Sequence, residues 1–333
     1  MTTISPSEFN KIPYLDTENV CGRIFTCLTF YDDGEWRLWV AAGEKLLEMN
    51  AWPCEAFYFS KEPAAPGDFF SHFLNFMVQR ASFPQMIKPL NGLQDDFYNL
   101  SAIFGKLEIF RKMSLSTRDG LSRIIVTEVE YLFSVCRSIF DLLYEIHKKI
   151  WNNILINGEK NKKNLPTKLS KLMLNDTKPS NAKIMMEKYN LPLAWAQFYE
   201  SHLEFFLSLR YYRDNIVHHG SQLSSIFIGD GELSVSQNSR PFNEINIWHD
   251  HEVKENNIVP LVPALAFIVH QTLAACENFT VMLESTIEFP PPLVPDMFLY
   301  VRGNHTELFF ETILDITTRL RARQENLEGN PQI

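Results

Sequence analysis

The chain has 333 residues, 45% of them hydrophobic and 13% aromatic, and a formal net charge of -9. That composition supports a substantial core and excludes a globally disordered chain. The acidic balance excludes a generic polyanion binder, so any nucleic-acid role must come from a local basic patch.

In chain order, the opening MTTISPSEFNKIPYLD has neither a basic n-region nor an apolar h-region, so no signal peptide is expected. Residues 22–31 (GRIFTCLTFY) and 35–42 (EWRLWVAA) place β-branched and aromatic residues on either side of Asp32-Asp33-Gly34. This is a hairpin pattern, because glycine tolerates the positive φ of a tight turn. Residues 57–59 suggest a further short strand, and KEPAAPG at 61–67 reads as a linker. Residues 1–67 therefore form an expected β-containing appendage.

A helical region is expected over 68–289. The segment 68–80 begins with Asp68 as an N-cap candidate and carries Phe69, Phe70, Phe73, Leu74 and Met77 on one side. A second helix is expected over 94–113, with Gly105 as its weak point. The strongest pattern lies at 122–154, where Ile125, Val129, Leu132, Phe133, Cys136, Ile139, Phe140, Leu143, Ile146 and Ile150 keep helical spacing. Within it Arg137 and Asp141 stand at i, i+4. They read either as an ion pair or as support for a site elsewhere.

Residues 157–188 read as a loop-rich, basic stretch. From 148 to 188 there are ten lysines against Glu159, Asp176 and Glu187. Such a segment is either a solvated loop or a track for an RNA backbone, with Lys160, Lys162 and Lys163 as candidate phosphate contacts.

The stretch 191–220, LPLAWAQFYESHLEFFLSLRYYRDNIVHHG, reads as one amphipathic helix. Leu193, Ala196, Phe198, Leu203, Phe206, Leu207 and Leu209 supply its apolar face, Pro192 suits its first turn and Gly220 its C′ position. A small hairpin follows, with residues 226–228 and 233–235 around Asp230-Gly231, and a strand is expected within 241–251. A helix over 262–283 has Leu265, Ile268, Val269, Leu273, Cys276 and Phe279 as core candidates. Pro290-Pro291-Pro292 marks a stop, and 290–333 should hold a C-terminal helix and a polar tail.

Five cysteines, Cys21, Cys27, Cys54, Cys136 and Cys276, form no CxxC pair and no zinc-like spacing. They read as reduced, buried thiols, which points to a cytoplasmic protein. The longest apolar run, near 258–275, is broken by Pro260, Pro263, His270 and Gln271, so no membrane role is expected. His249-Asp250-His251 with Glu252 is a weak metal candidate in a short turn. No metal or cofactor is expected.

The chemistry-bearing residues gather at the end of the 191–220 stretch: Arg210, Arg213, Asp214, Asn215, His218 and His219. Arg213 and His218 spell R-x4-H, and this segment resembles the motif of the HEPN superfamily, whose ribonuclease members carry R-x4-6-H. The resemblance extends to a long earlier helix, 122–154, ahead of the motif helix, and covers a core of about 122–283. It implies a mainly α, HEPN-like helical bundle, here with the N-terminal hairpin-containing appendage and the small hairpin insertion. Asp214 stands where many members have Asn, and Asn215 follows it. The tandem His218-His219 also permits an R-x5-H reading.

The family implies a metal-independent endoribonuclease, a hydrolase-class nuclease acting on RNA. Arg213 would hold the scissile phosphate and His218 would move protons, with Asp214, Asn215 or His219 in support and Arg210 binding substrate. In an ideal helix five residues rise about 7.5 Å and turn through roughly 500°, so Arg213 and His218 do not share a face. A bent helix end could join them. The family implies instead a homodimer whose facing motif helices form a composite site. It also implies a bacterial defence or toxin–antitoxin setting with a regulatory protein or antitoxin as partner. Two other readings of the same residues stay open. Arg210, Asp214 and His218 fall at i, i+4, i+8 and could form a surface ladder of ion pairs. The bundle could also be a catalytically silent module that docks a partner or binds a nucleotide.

Overall fold

A computed structural model of the chain describes residues 57–116, 120–154, 162–219, 223, 226–229, 231–303 and 305–328, and from 1–56 the strands alone. For those early strands and for 217–219, 324 and 326–328 the description is of the backbone.

The chain begins with strands β1 (Thr3–Ile4), β2 (Ile24–Phe25), β3 (Thr29–Asp32), β4 (Glu35–Ala42), β5 (Lys45–Met49) and β6 (Phe57–Ser60). Helices α1 (His72–Arg80), α2 (Ile87–Met113), α3 (Leu121–Asn153) and α4 (Leu169–Met173) follow. The short pair β7 (Leu174–Asn175) and β8 (Lys178–Pro179) precedes α5 (Ala182–Tyr189), α6 (Leu193–Ser201) and α7 (Leu203–His219). Strands β9 (Phe227–Gly229), β10 (Glu232–Ser236) and β11 (Ile258–Pro260) lead into α8 (Leu261–Thr286). Strand β12 (Phe298–Val301) and helix α9 (Glu307–Glu328) end the described chain. The protein is thus mainly helical with small antiparallel sheets. Among the described residues no helix is long and apolar enough to cross a membrane.

The chain divides into two compact units: Met1–Phe83 with Glu288–His305, and Pro84–Ile287 with Thr306–Ile333. This cuts the chain differently from the boundaries expected at 67 and 289, because α1 belongs with the strands and the last 44 residues are shared between the units.

The first unit holds two antiparallel sheets, ordered β1-β5-β4-β3 and β12-β6-β2. Pairing of Asp32 with Glu35 closes the expected hairpin, whose turn residues Asp33 and Gly34 lie outside the described residues. Tyr300 pairs with Tyr58 across β12 and β6. Asp68 is not the N-cap of α1. Ser71 takes that place, its Oγ accepting from Leu74 N at 3.2 Å. Asp68 instead accepts both arms of the Arg302 fork, at 2.6 and 2.9 Å, together with the Tyr58 hydroxyl. Gln79 on α1 holds the returning segment, donating to the carbonyls of Val294 and Met297 at 3.1 and 2.8 Å.

The second unit is built around α3, which packs along α2, α7 and α8. All ten positions of the apolar stripe expected on this helix are buried, as periodicity requires of a helix covered on one side. Cys136 and Cys276 are free, buried thiols in this core, and burial pushes the Cys136 pKa up to about 12. Gly105 has a packing reason in mid-helix: a Cβ there would sit 3.2 Å from Thr306 Cγ2 at the entry to α9.

Three expectations change in this unit. The stretch 191–220 is two helices, not one, broken at His202 (φ -100°, ψ 3°). The buried His202 ring packs 4.9 Å from Phe198 and 6.5 Å from Phe140, with Nε2 3.3 Å from Asn278 Nδ2. The break gives each half its own buried side: Trp195, Phe198 and Tyr199 on α6, Phe206, Leu209 and Tyr212 on α7. Leu193, expected in the core, is 52% exposed. The strand expected in 241–251 is replaced by 3-10 turns at Phe242–Glu244 and Asp250–Glu252. The third strand is β11, paired through Val259 to Val235 beside the hairpin β9–β10, where Gly231 adopts φ +73°. Part of the basic stretch is also ordered as α4, β7, β8 and α5, the last capped by Asn181, whose Oδ1 accepts from Ile184 N at 2.9 Å.

Candidate functional site

Arg137, Asp141, Tyr144, Glu145, Lys148, Lys149 and Asn152 recur along α3 at intervals of three and four, so they share one stripe of that helix. Arg210, Arg213 and Asp214 form a matching group on α7. Together with residues 167–170 these two walls enclose a cleft of about 700 Å³, a size usual for small-molecule and cofactor sites. Six cationic and three anionic side chains line it. In a chain of net charge -9 this is a concentrated positive site.

Asp214 bridges the two arginines of α7, its Oδ2 3.3 Å from Arg210 Nε and its Oδ1 3.1 Å from Arg213 Nη1. All three side chains are more than one third exposed. Such pairs contribute roughly 0–1 kcal/mol and yield readily to a stronger anion. On α3, Glu145 pairs with Lys149 at 3.4 Å, and Lys148 donates to the Thr167 carbonyl at 3.2 Å.

Arg137 differs from these. Its side chain is 13% exposed, and its guanidinium carbon lies 4.4 Å from the centre of the Phe206 ring. Nη1 forms an ion pair with Asp141 Oδ2 at 2.6 Å, yet without hydrogen-bond geometry, and is a buried donor with no hydrogen-bond partner. The Arg137–Asp141 pair and the Arg210–Asp214 cluster, far apart in sequence, therefore meet in one cleft.

Of the residues expected at a site, Arg210, Arg213 and Asp214 line this cleft and Asn215 does not. The Asn215 amide donates instead to the Tyr211 carbonyl at 2.8 Å, one turn back on its own helix. The backbone of α7 is helical through His219. The side chains of His218 and His219 lie outside the described residues, as does Lys160. Lys162 and Lys163 are not part of the cleft lining. The Lys162 ammonium donates to the carbonyls of Trp151 and Ile154, where it closes the C-terminal end of α3, and burial lowers its pKa. Lys163 donates to the Glu187 carbonyl at 2.8 Å.

Lys148, Lys149, Lys168 and Tyr144 were not expected at a site. The signal that could have found Tyr144, Lys148 and Lys149 is the polar stripe on α3, spaced like the apolar one but rotated from it, whereas Lys168 lies at the start of α4. Beside the cleft, a fully buried His147 is enclosed by Tyr144, Trp151, Trp195 and Tyr199. Its Nδ1 shares a hydrogen bond with the Tyr199 hydroxyl. Burial pushes its pKa from 6.5 down to about 3, so the ring is neutral and belongs to the core.

The His249–Glu252 turn is held as structure. The Glu252 carboxylate takes the Arg319 fork at 2.6 and 2.9 Å, and the His249 and His251 rings stack 5.5 Å apart. Among the described residues no group of three His, Cys, Asp or Glu is placed to hold a metal ion. No protein-family model, no curated protein and no solved structure matches this chain.

Proposed function

We propose that the chain is a HEPN-like, metal-independent endoribonuclease whose substrate enters the cleft between α3 and α7. The observation that carries this reading is the position of Arg213, the Arg of the R-x4-H motif, in the wall of a cationic cleft completed by the long preceding helix. A guanidinium there can hold a phosphodiester through two oxygens and stabilise the negative charge that grows on it during cleavage. His218 would supply the imidazole, the side-chain type that can accept and return a proton near neutral pH. A base removes the proton of the ribose 2′-OH, and that oxygen attacks phosphorus. The bond from phosphorus to the 5′-oxygen breaks, and the leaving oxygen is protonated. The products are a 2′,3′-cyclic phosphate and a 5′-hydroxyl, and DNA resists because it lacks the attacking group.

Positions five apart on an ideal helix do not share a face, which favours a second copy of the chain as the source of the missing half. The reading therefore includes a homodimer with a composite site. The accompanying setting is a cytoplasmic defence or toxin–antitoxin role, with a regulator bound through the N-terminal appendage. A second reading, a catalytically silent module binding a nucleotide or a partner, is favoured by Asp214, whose carboxylate engages both Arg210 and Arg213.

The test is incubation of purified protein with labelled RNA in EDTA. Cleavage to cyclic-phosphate ends that disappears in both Arg213→Ala and His218→Ala supports the enzyme. Equal product from wild type and the double variant overturns it. Mixing the two single variants and recovering cleavage supports the composite dimer.

A further inference from the structure

Three buried or half-buried arginines can be compared atom by atom. Arg319, 12% exposed, fills its fork with Glu252 at 2.6 and 2.9 Å, Asp315 at 2.7 Å and the Ile247 carbonyl at 3.4 Å. Arg302, 23% exposed, fills its fork with Asp68. Arg137 is as deeply placed as Arg319 and makes no hydrogen bond among the described residues. Its counter-charge is Asp141, 55% exposed and one turn along the same helix. The Phe206 face fixes the plane of the guanidinium. Buried donors are nearly always partnered, and an arginine carries five of them. Nη1 of Arg137 is left without a hydrogen bond, and Arg137 lines the cleft that also holds Arg210 and Arg213.

We infer that Arg137 is the deep phosphate-binding residue of this cleft, taking one phosphodiester of a single-stranded nucleic acid while Arg210 and Arg213 of α7 take its neighbours. Asp141 is the resident anion that the phosphate displaces. The inference deepens the ribonuclease reading and rests on it for the choice of a strand as ligand. Recognition is short. Lys148, Lys162 and Lys163 donate to backbone carbonyls and Lys149 pairs with Glu145, so the phosphate contacts are placed on the three arginines instead of a lysine track. Each phosphate contact on a single strand lowers log K by about 0.7 per unit of log salt, which makes the expected slope about -2 for three contacts.

The probe is a fluorescent, uncleavable DNA 12-mer, read by anisotropy across a salt series, with a nucleoside triphosphate titrated in a parallel arm. Wild type should bind the strand with the shallow slope and prefer it to the triphosphate. Arg137→Met, which keeps the stem on Phe206, should weaken binding about tenfold and reduce the slope by about 0.7. Arg137→Lys should recover only part of the loss, because it restores charge without the fork. Unchanged affinity and slope in a folded Arg137→Met protein overturn the inference. If that variant does not fold, Asp141→Asn decides: tighter binding supports the inference, and unchanged or weaker binding overturns it. An Arg137-dependent preference for the triphosphate overturns the strand as ligand. Wild type that binds with this dependence but cleaves no RNA removes the ribonuclease reading and leaves Arg137 in place. Cleavage with a KM unmoved by Arg137→Met does the reverse.

Discussion

Arg137 and Arg319 sit at nearly the same depth, 13 and 12% exposed, on two long helices of the same unit. Around Arg319 the protein supplies the acceptors itself: Glu252 from a 3-10 turn, Asp315 from the same helix and the Ile247 carbonyl. Around Arg137 it supplies an aromatic face and a carboxylate in poor geometry, then opens into a cleft. The depth of a guanidinium therefore says little by itself. A filled fork marks a residue that holds the fold, and an open fork beside a cleft marks one that waits for a ligand.

The largest effects separate chemistry from architecture. Arg213→Ala and His218→Ala are expected to lower RNA cleavage by roughly 10²-fold or more, read from initial rates on labelled RNA. The melting temperature should not follow for Arg213, which is 46% exposed. Next is the direct contrast between the two deep arginines. Arg319→Met leaves Glu252 without its counter-charge and should cost about 3 kcal/mol in urea unfolding. Arg137→Met removes no hydrogen bond and should stay within about 1 kcal/mol of wild type. Equal losses from the two substitutions would break the comparison.

Acid sharpens it further. Burial acts to raise the Glu252 pKa, but its hydrogen bonds with Arg319 prevail and hold it below the usual 4.5. The folded state thus binds fewer protons there than the unfolded state. Stability from this pair is present above pH 4.5 and is lost as pH falls below it, a limb that Glu252→Gln should flatten. His147 begins earlier. With its pKa at about 3 against 6.5 unfolded, stability should fall on acidification below pH 6.5. The slope from this group alone is about 1 kcal/mol per pH unit, read from urea midpoints between pH 7 and 5. The smallest effect concerns Lys162. Lys162→Met should lose about 1 kcal/mol of stability, because it uncaps α3, and leave the salt slope of nucleic-acid binding unchanged. A reduced slope would return Lys162 to the substrate path.

Local pattern was enough for several elements. The apolar stripe of α3 repeats at helical spacing, so its buried face could be read residue by residue. The hairpins at Asp32–Glu35 and at Gly231 announce themselves through turn chemistry that operates over four residues. Arg213 and Asp214 stood out as a polar cluster at the end of a helix, and they line the cleft. Other features depend on partners that no short window contains. Nothing near His202 says that its ring will meet Phe140 and Asn278 and divide the motif stretch into α6 and α7. Asp68 looks like a helix cap until Arg302, over two hundred residues away, takes its carboxylate.

The sequence by itself determined that α2, α3 and α8 form, which side of α3 is apolar and that an R-x4-H cluster lies near the end of a helix. These are consequences of periodicity and local backbone preference. Only the tertiary structure decided that α3 and α7 pack so that Arg137 meets Arg210 and Arg213, and that Lys162 and Lys163 turn to backbone carbonyls. Burial and hydrogen-bond partnership are properties of the packed chain. Whether a charged residue is a strut or a binding group is settled by what the rest of the protein leaves unfilled around it.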